Sequence, residues 1–336
     1  MARASIIIVT FNSAKHIAKC IESALSQVPK GFEVVVVDSA STDGTVKAVR
    51  RRFPGQRIIA LHENLGYSAA VRAGAEATRG EFIVLLNPDA QMAPGCLRNL
   101  LAPFRDAKVA ATTGKVLLAD GSGRVNALGV AVNYLGFAWA AGCYSKDRSL
   151  PEAEIAAGSG CLMAIRRSAW DRAGGFDREY FLYHEDVDLS WRLRMMGWRI
   201  LLVPSAVAYH DYAPSRHRVK VLYVERNRLI TLLKNYQLRT LLLLTPALAA
   251  VEIGAFLYSL RIGEGAQKAR GYLSLLGMLP GIITKRGRIR GMRKVRDREL
   301  MVLFSPTIES PGLQNPVLRA VNPLLRAYLA LASKLM

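Results

Sequence analysis

Cysteine is scarce and scattered in this chain. The four cysteines, Cys20, Cys96, Cys143 and Cys161, show neither CxxC spacing nor a histidine at metal-site spacing. Zinc knuckles and disulfide frameworks both need cysteines at short, regular intervals, so neither is predicted. This cysteine usage favours a reducing cytoplasm.

The N-terminus lacks the apolar core of a signal peptide. Its first apolar run, Ile6 to Val9, is too short for such a core and is followed at once by Thr10 and Asn12. We interpret the run as a β-strand and expect no export by this route. The turn after it has no glycine-rich loop, which argues against an ordinary dinucleotide-binding fold.

Acidic residues are few, since 26 Asp and Glu stand against 46 Lys and Arg, for a net charge of +20. The excess lies near the C-terminus, where Ser215 to Leu300 holds 18 basic and 5 acidic residues. The first two-thirds of the chain are therefore only mildly basic, and the basic stretch predicts an anionic partner surface.

Short β-branched runs alternate with helix-like segments over the first 90 residues, as in a parallel sheet with crossover helices. The predicted strands are Ile6–Val9, Val34–Val37, Arg57–Ala60 and Phe82–Leu86, and the predicted helices are Ala14–Gln27, Thr42–Arg52 and Ser68–Thr78. A doubly wound α/β sheet of this kind, Rossmann-like, binds ligands at the carboxyl ends of its strands. Polar residues stand at those ends here: Thr10, Asn12, Asp38, Ser39, Asn87 and Asp89.

The second half of the chain changes character. Glu185–Met196 is predicted as a helix, and Arg199–Val203 as a strand that ends at Pro204. Beyond about residue 215 the pattern is helical, leucine-rich and arginine-rich. We therefore predict a catalytic domain over 1–214 and a basic, apolar helical extension over 215–336.

Three positions could carry ligand chemistry, and each has a structural alternative. Asp38, at a strand end, is equally suited to gripping a ribose or to capping the next turn. Asp89, in a turn stiffened by Pro88, can point a hard oxygen at a divalent metal, which would replace the missing phosphate loop. His210 could be the second metal ligand, although a lone histidine is more often a structural hydrogen-bonding residue.

Three acids open the helix at 185: Glu185, Asp186 and Asp188. They could simply complement the helix dipole, worth ~0.3–1 kcal/mol. Glu185 and Asp188 are neighbours on one helix face while Asp186 points elsewhere, so a single carboxylate could face the crevice. A general base for group transfer needs that arrangement.

Seven segments together resemble family 2 glycosyltransferases with a GT-A fold, and the rhamnosyltransferase-like subgroup most of all. They are Ile-Val-Thr-Phe-Asn (8–12), Val-Asp-Ser-Ala-Ser-Thr-Asp-Gly-Thr (37–45), Glu-Asn-Leu-Gly-Tyr (63–67), Leu-Asn-Pro-Asp (86–89), Gly-Gly-Phe-Asp (174–177), His-Glu-Asp-Val-Asp-Leu (184–189) and Tyr-His (209–210). Each is weak alone, but their order over residues 5–212 makes the set specific.

The resemblance implies a donor site. Thr10 and Asp38 would contact the base and ribose of a nucleotide-diphosphate sugar, and Asn64 and Gly66 would line the nucleotide pocket. Arg192 would help to shape the sugar and diphosphate region. Asn12, Ser39 and Asn87 complete the implied donor-binding set.

The resemblance also implies catalytic and metal-binding roles. Asp186 would be the catalytic base, with Glu185 beside it in the acceptor site. Asp89 and His210 would hold a Mg²⁺ or Mn²⁺ ion. Asn87 stands where the family's DxD-type motif has its first aspartate.

The implied activity is inverting sugar transfer, with dTDP-rhamnose as the best single guess for the donor and a UDP-hexose next. The acceptor would be a hydroxyl of a polyprenyl-linked glycan in cell-surface polysaccharide synthesis. Rival interpretations are a non-catalytic nucleotide-sugar-binding module and a processive synthase, whose usual Gln-x-x-Arg-Trp segment is absent after the helix at 185–196.

The C-terminal part favours attachment to the inner face of the cell membrane. Thr240–Leu260 is an apolar stretch interrupted by Pro246 and Glu252, and Lys285–Arg298 places eight basic residues in fourteen positions. We prefer monotopic attachment to anionic lipid over a span. The alternative to membrane attachment is a packed helical extension with a solvated charged face. Nucleic acid is disfavoured as a partner because the basic patch lacks interleaved aromatic residues. An oligomer is possible.

Overall fold

A computed structural model describes residues 4–27, 31–212, 218–310 and 316–336. The chain divides into two compact units. The first unit comprises 1–130, 140–193 and 198–213, and the second comprises 131–139, 194–197 and 214–336. The predicted boundary at 214/215 falls outside the described residues.

A ten-stranded sheet forms the centre of the first unit, in the order β10-β12-β6-β11-β4-β1-β2-β3, with β5 paired to β12 and β7 to β6. The strands are β1 Ala4–Thr10, β2 Glu33–Asp38, β3 Arg57–Ala60, β4 Phe82–Leu86, β5 Ala90–Met92, β6 Val109–Leu118, β7 Val125–Ala127, β8 Val130–Val132, β9 Ala138–Ala140, β10 Ala153–Glu154, β11 Leu162–Arg166 and β12 Arg199–His210. β8 and β9 form a separate two-stranded sheet.

Strands β1 to β4 are parallel to one another and contribute many of the buried core residues. Every residue of β1 and of β4 is buried, because crossover helices shield a parallel sheet and its strands become continuous apolar runs. β11 runs antiparallel to both β4 and β6, while β12 is parallel to β6. The predicted α/β class, a mostly parallel sheet flanked by helices, is confirmed.

The prediction that the strand from Arg199 ends at Pro204 is wrong. β12 continues to His210, with a register shift against β6 between Val203 and Val207. Pro204 lies within this irregularity, where a missing backbone N–H costs no ladder hydrogen bond. As a result β12 carries His210 to a position opposite Ala90, beside Asp89.

Of the helices described in the first unit, four begin within three residues of the predicted positions and two have no predicted counterpart. They are α1 Ile17–Leu25, α2 Thr45–Arg52, α3 Tyr67–Glu76, α4 Cys96–Leu101, α5 Arg167–Ala173 and α6 Glu185–Met195, the last of which ends in the second unit. α6 begins at the acidic cluster, as the pattern predicts.

The second unit is helical, with α7 Arg218–Asn235, α8 Leu238–Arg261, α9 Gly265–Met292, α10 Asp297–Leu300 and α11 Pro316–Ala332. Residues 131–139, assigned to the catalytic domain from sequence, belong here instead. The Tyr236 hydroxyl donates to the Tyr134 carbonyl at 2.8 Å, and the Tyr134 hydroxyl donates to the Leu325 carbonyl at 2.9 Å. These hydrogen bonds join residues that are far apart in the sequence, so the local sequence pattern did not indicate them.

Candidate active site

A cavity of about 610 Å³ opens in the first unit at the carboxyl ends of the parallel strands. Asn12 follows β1, Ser39 follows β2, and Asn87 and Asp89 follow β4, and all four line it. Parallel strands bring their carboxyl ends to one edge of a sheet, so residues far apart in sequence meet there.

Two of the predicted nucleotide-contacting residues do not line this cavity. Thr10 is fully buried, and its hydroxyl donates to Asp38 Oδ1 at 2.7 Å. The Asp38 carboxylate also accepts from the Ser41 backbone N–H at 2.9 Å and from the Ser41 hydroxyl at 2.6 Å. In this structure Thr10 and Asp38 hold the loop after β2 in place, and their neighbour Ser39 reaches the cavity.

The segment that leads into α3 lines another part of the cavity. The Gly66 N–H donates to Asn64 Oδ1 at 2.9 Å. Gly66 has φ +85°, and a Cβ there would lie 2.5 Å from the Phe181 carbonyl oxygen, so glycine is required on two counts. Asn64 and Gly66 both line the cavity, and their contact with a nucleotide stays a prediction.

Asp89 and His210 are neighbours in the lining of the cavity. His210 Nε2 lies 3.0 Å from Asp89 Oδ1, and His210 Nδ1 lies 2.9 Å from Asn126 Oδ1. Burial disfavours the imidazolium, but Cys161 and the Asp89 carboxylate outweigh it and raise the His210 pKa to about 10. Burial raises the pKa of Asp89, yet the hydrogen bond and charge of His210 prevail and lower it.

This pair fits a divalent metal. A carboxylate oxygen and an imidazole nitrogen are both ligands that Mg²⁺ or Mn²⁺ accepts, and the second imidazole nitrogen has a hydrogen-bond partner, as metal-bound histidines usually do. Within the described ranges no group of three or more His, Cys, Asp or Glu side chains could hold a metal. The diphosphate of a donor would have to supply further oxygens.

The Asp186 carboxylate lies in the same cavity and is held by the backbone. Oδ2 accepts from the Gly160 N–H at 3.0 Å, and Oδ1 accepts from the Val187 N–H at 2.8 Å. Burial raises the Asp186 pKa, while these two donors limit the rise. The carboxylate is thus fixed in direction and has an elevated affinity for a proton, as a general base requires.

Glu185 lies beside Asp186 in the cavity wall. Burial, followed by the charge of Asp186, raises the Glu185 pKa well above its ordinary value. Its Oε2 atom is buried and has no hydrogen-bond partner among the described residues. Asp186 accepts two backbone hydrogen bonds that favour its ionised form, whereas Glu185 Oε2 has none in the described part of the chain, so Glu185 has the stronger tendency of the two to hold a proton.

Arg192 does not line the cavity, contrary to the expectation that it shapes the sugar region. Its guanidinium is buried, pairs with Asp188 at 2.6 Å and donates to the carbonyls of Ala173 and Gly175. Asp188, the third acid at the start of α6, therefore holds Arg192 in place, and Arg192 in turn holds the Gly-Gly-Phe turn through its two carbonyl contacts. The i,i+4 spacing of Asp188 and Arg192 is visible in the sequence and could have indicated this.

The structure adds residues that sequence reasoning missed. The Tyr67 hydroxyl donates to the Gly160 carbonyl at 3.1 Å, and Cys161 and Asn126 line the cavity beside His210. Phe181, Tyr183 and His184 all have positive φ, and such backbone strain of order 1–3 kcal/mol each concentrates at functional sites. A run of aromatic and histidine residues just before the acidic cluster was the available signal.

Comparison with known proteins identifies the family. The family model described as glycosyl transferase family 2 matches residues 5–174. An N-acetylglucosaminyl-diphospho-decaprenol L-rhamnosyltransferase of Mycobacterium tuberculosis is 32% identical over 237 residues, covering 63% of this chain and 77% of that protein. The succinoglycan biosynthesis protein ExoO of Rhizobium meliloti is 38% identical over 118 residues, 34% of each chain.

A solved structure extends the likeness to the fold. The mannosyltransferase PcManGT of Pyrobaculum calidifontis, in complex with GDP-Man and Mn²⁺, superposes with a TM-score of 0.53 at 21% identity, covering 99% of this chain and 86% of that one. The predicted GT-A fold and the rhamnosyltransferase-like resemblance are both confirmed. The chain belongs to glycosyl transferase family 2.

Proposed function

We propose that this protein transfers a sugar from a nucleotide-diphosphate donor to an acceptor hydroxyl with inversion at the anomeric carbon. The observation that carries the proposal is the Asp186 carboxylate, held in the cavity by two backbone N–H groups next to Glu185, whose pKa is raised well above its ordinary value by burial. A single ionised, oriented carboxylate is what a one-step displacement needs as its base.

The proposed transfer is a single displacement at the anomeric carbon. Asp186 accepts the proton of the acceptor hydroxyl while that oxygen forms a bond to the anomeric carbon. The bond from that carbon to the diphosphate oxygen breaks, and the nucleoside diphosphate leaves from the opposite face, so configuration inverts. Glu185, neutral and adjacent, can donate a hydrogen bond to the acceptor and keeps a second negative charge away from the reacting oxygen.

Asp89 and His210 would hold the divalent ion, Mg²⁺ or Mn²⁺. When bound, the ion neutralises the negative charge that develops on the leaving diphosphate. The side chains supply one carboxylate oxygen and one imidazole nitrogen, already 3.0 Å apart. The imidazole favours Mn²⁺ over Mg²⁺ because it is a softer ligand than a carboxylate.

The donor in this proposal is dTDP-rhamnose, with a UDP-hexose as the alternative. Its support is the likeness to a relative named as a rhamnosyltransferase that acts on a decaprenol-linked N-acetylglucosamine. The acceptor by the same reasoning is a polyprenyl-linked glycan, and the process is cell-surface polysaccharide synthesis, to which the relative in succinoglycan biosynthesis also points.

A polyprenyl-linked acceptor would require membrane access, and α8 offers a surface for it. Among the described residues α8 is the one helix long and apolar enough to cross a membrane, yet only 11% of its apolar window is buried. Its exposed stripe, defined by Leu238, Leu242, Ile253, Leu257 and Leu260, has side chains 54–65% exposed. These positions repeat at helical spacing, so they share one face.

The polar contacts of α8 support attachment rather than a span. Glu252 pairs with Arg228 of α7, lies 3.6 Å from Lys268 of α9, and accepts from the Tyr272 hydroxyl at 2.6 Å. Arg228 is fully buried, and breaking a buried pair costs ~3–5 kcal/mol. These contacts keep α8 packed on its neighbours, so the exposed stripe would lie along the lipid surface.

The basic segment supplies charge complementarity. Arg288, Arg290, Lys294, Arg296 and Arg298 are exposed at the end of α9 and just after it. Each basic residue close to an anionic membrane contributes ~1 kcal/mol. We therefore place the protein at the cytoplasmic face of the cell membrane, peripherally bound.

Two measurements test the catalytic proposal. The first compares thermal shifts with UDP, dTDP, GDP and ADP, each with and without Mn²⁺, for the wild type and Asp89→Ala. We expect a rise in melting temperature with dTDP that depends on Mn²⁺ and is lost in the variant. The second mixes dTDP-rhamnose with a polyprenyl-diphosphate-linked N-acetylglucosamine and determines the anomeric configuration of the product by NMR.

The outcomes separate the parts of the proposal. A Mn²⁺-dependent shift with UDP instead of dTDP would replace the donor and keep the site. A product that retains the donor's configuration would refute Asp186 as the base of a single displacement. Folded protein that binds a nucleotide but transfers no sugar would favour the non-catalytic module, and folded protein that binds none of the four nucleotides would refute the donor site.

A further inference from the structure

Asn126 occupies an irregular position in β7. In the antiparallel pairing of β7 with β6, Ala127 lies opposite Val116 and Val125 lies opposite Leu117, so Asn126 is the extra residue of a bulge. A bulge turns one side chain out of the regular alternation, and bulges recur next to active sites for this reason. Here the redirected Asn126 side chain is 94% buried and lines the cavity.

The hydrogen bond that Asn126 makes has a defined direction. Its Oδ1 atom lies 2.9 Å from His210 Nδ1, and an amide oxygen can only accept, so Nδ1 carries the proton. In its pair with Asp89, Nε2 also donates, to Asp89 Oδ1 at 3.0 Å. When a metal replaces that second proton, the proton that Asn126 holds on Nδ1 stays in place, and the Nε2 lone pair is left for the metal. The reverse tautomer would leave Nε2 blocked by a hydrogen.

We propose that Asn126 is a positioning residue that orients His210 and fixes its metal-binding tautomer. The inference rests on the proposed metal site at Asp89 and His210. Asn126 itself contacts neither metal nor substrate in this role and acts only through the ring of His210. Metal-bound histidines commonly donate their other N–H to an acceptor, and losing that acceptor typically weakens metal affinity 10–100-fold.

The test compares Asn126→Leu, which keeps the volume and removes the acceptor, with Asn126→Asp, which restores an acceptor. Mn²⁺ affinity is measured by electron paramagnetic resonance of the free ion, with and without dTDP. We expect Asn126→Leu to bind Mn²⁺ roughly 10–100-fold more weakly and Asn126→Asp to bind at least as tightly as the wild type. The matched control is Asn99→Leu, which removes a half-buried amide that donates to the Ser205 carbonyl and should leave Mn²⁺ affinity unchanged.

Transfer kinetics give a second measurement. For Asn126→Leu we expect the Mn²⁺ concentration for half-maximal rate to rise by the same factor, while kcat at saturating Mn²⁺ stays close to that of the wild type. A lower kcat at saturation with unchanged Mn²⁺ affinity would overturn the positioning role.

Two further outcomes would also overturn it. One is a folded Asn126→Leu protein that binds Mn²⁺ like the wild type. The other is a loss of affinity that Asn126→Asp does not rescue, since that would mean that only packing was disturbed. If the wild type itself binds no Mn²⁺, with or without dTDP, the metal site fails and the role of Asn126 fails with it.

Discussion

Replacing Asp186 with Asn removes the base while keeping the side chain's shape. A positioned general base contributes ~10²–10⁴ in rate, so Asp186→Asn should lower kcat by about that factor, or roughly 3–5 kcal/mol in barrier height. An amide still has one oxygen, which can accept from the Val187 N–H. Its nitrogen would then face the Gly160 N–H, a contact now 3.0 Å long with oxygen.

The expected change in stability is modest. Leaving the Gly160 donor unpaired costs ~1–3 kcal/mol. Removing the charge beside Glu185 offsets part of this, because Asp186 is one cause of the raised Glu185 pKa. The variant should therefore fold, and the loss of rate can be read as chemistry.

The assay is the initial rate of sugar transfer at saturating donor and acceptor, repeated across pH. Because burial raises the Asp186 pKa, kcat/KM of the wild type should climb with pH as this carboxyl loses its proton, and the slope should vanish in Asp186→Asn. Glu185→Gln serves as the matched control, since it changes the neighbouring carboxyl and leaves the base. Asp186→Asn protein that keeps more than about a tenth of the rate, against the ~10²–10⁴ expected, would refute the assignment. A larger loss in Glu185→Gln would transfer the role to Glu185.

Three further predictions concern stability and membrane binding. A carboxyl whose pKa is raised in the folded state destabilises the folded protein as pH rises from the ordinary pKa through the raised pKa. The melting temperature of Glu185→Gln should therefore rise relative to that of the wild type between pH 5 and pH 8. A difference in melting temperature that does not change with pH would contradict the raised pKa. Arg192→Met removes the buried ion pair with Asp188 and two hydrogen bonds to backbone carbonyls, so calorimetry should show a loss of ~3–5 kcal/mol. Weaker dTDP binding without loss of stability would return Arg192 to the donor site. Leu257→Glu should reduce flotation with anionic vesicles about 10-fold or more, because burying one leucine contributes ~1.5–3 kcal/mol. Val302→Glu, at an apolar position outside the stripe that is 82% exposed against 60% for Leu257, should have no effect. Equal losses in both variants would refute the α8 surface.

The sequence alone determined the class of fold, the family and nine of the residues that line the cavity. Alternation of strands and helices follows from local periodicity, and β1 and β4 were recognisable because a buried parallel strand is a continuous apolar run. Asp89 was recognisable because it follows a strand closely, and the three acids at the start of α6 were recognisable because they open a helix, while the family resemblance singled out Asp186 among them. Residues at such boundaries face the ligand edge of the sheet whatever the details of packing.

Only the tertiary structure decided which side chains meet. Arg192 is occupied by Asp188 and two carbonyls, Thr10 is occupied by Asp38, and Asn126 reaches His210 from a bulge in another strand. A one-residue change of register reverses the face on which a strand side chain lies, and local periodicity does not show where a bulge falls. The pairing of β7 with β6 and of β12 with both β5 and β6 depends on contacts distant in sequence, and those contacts set the geometry around His210.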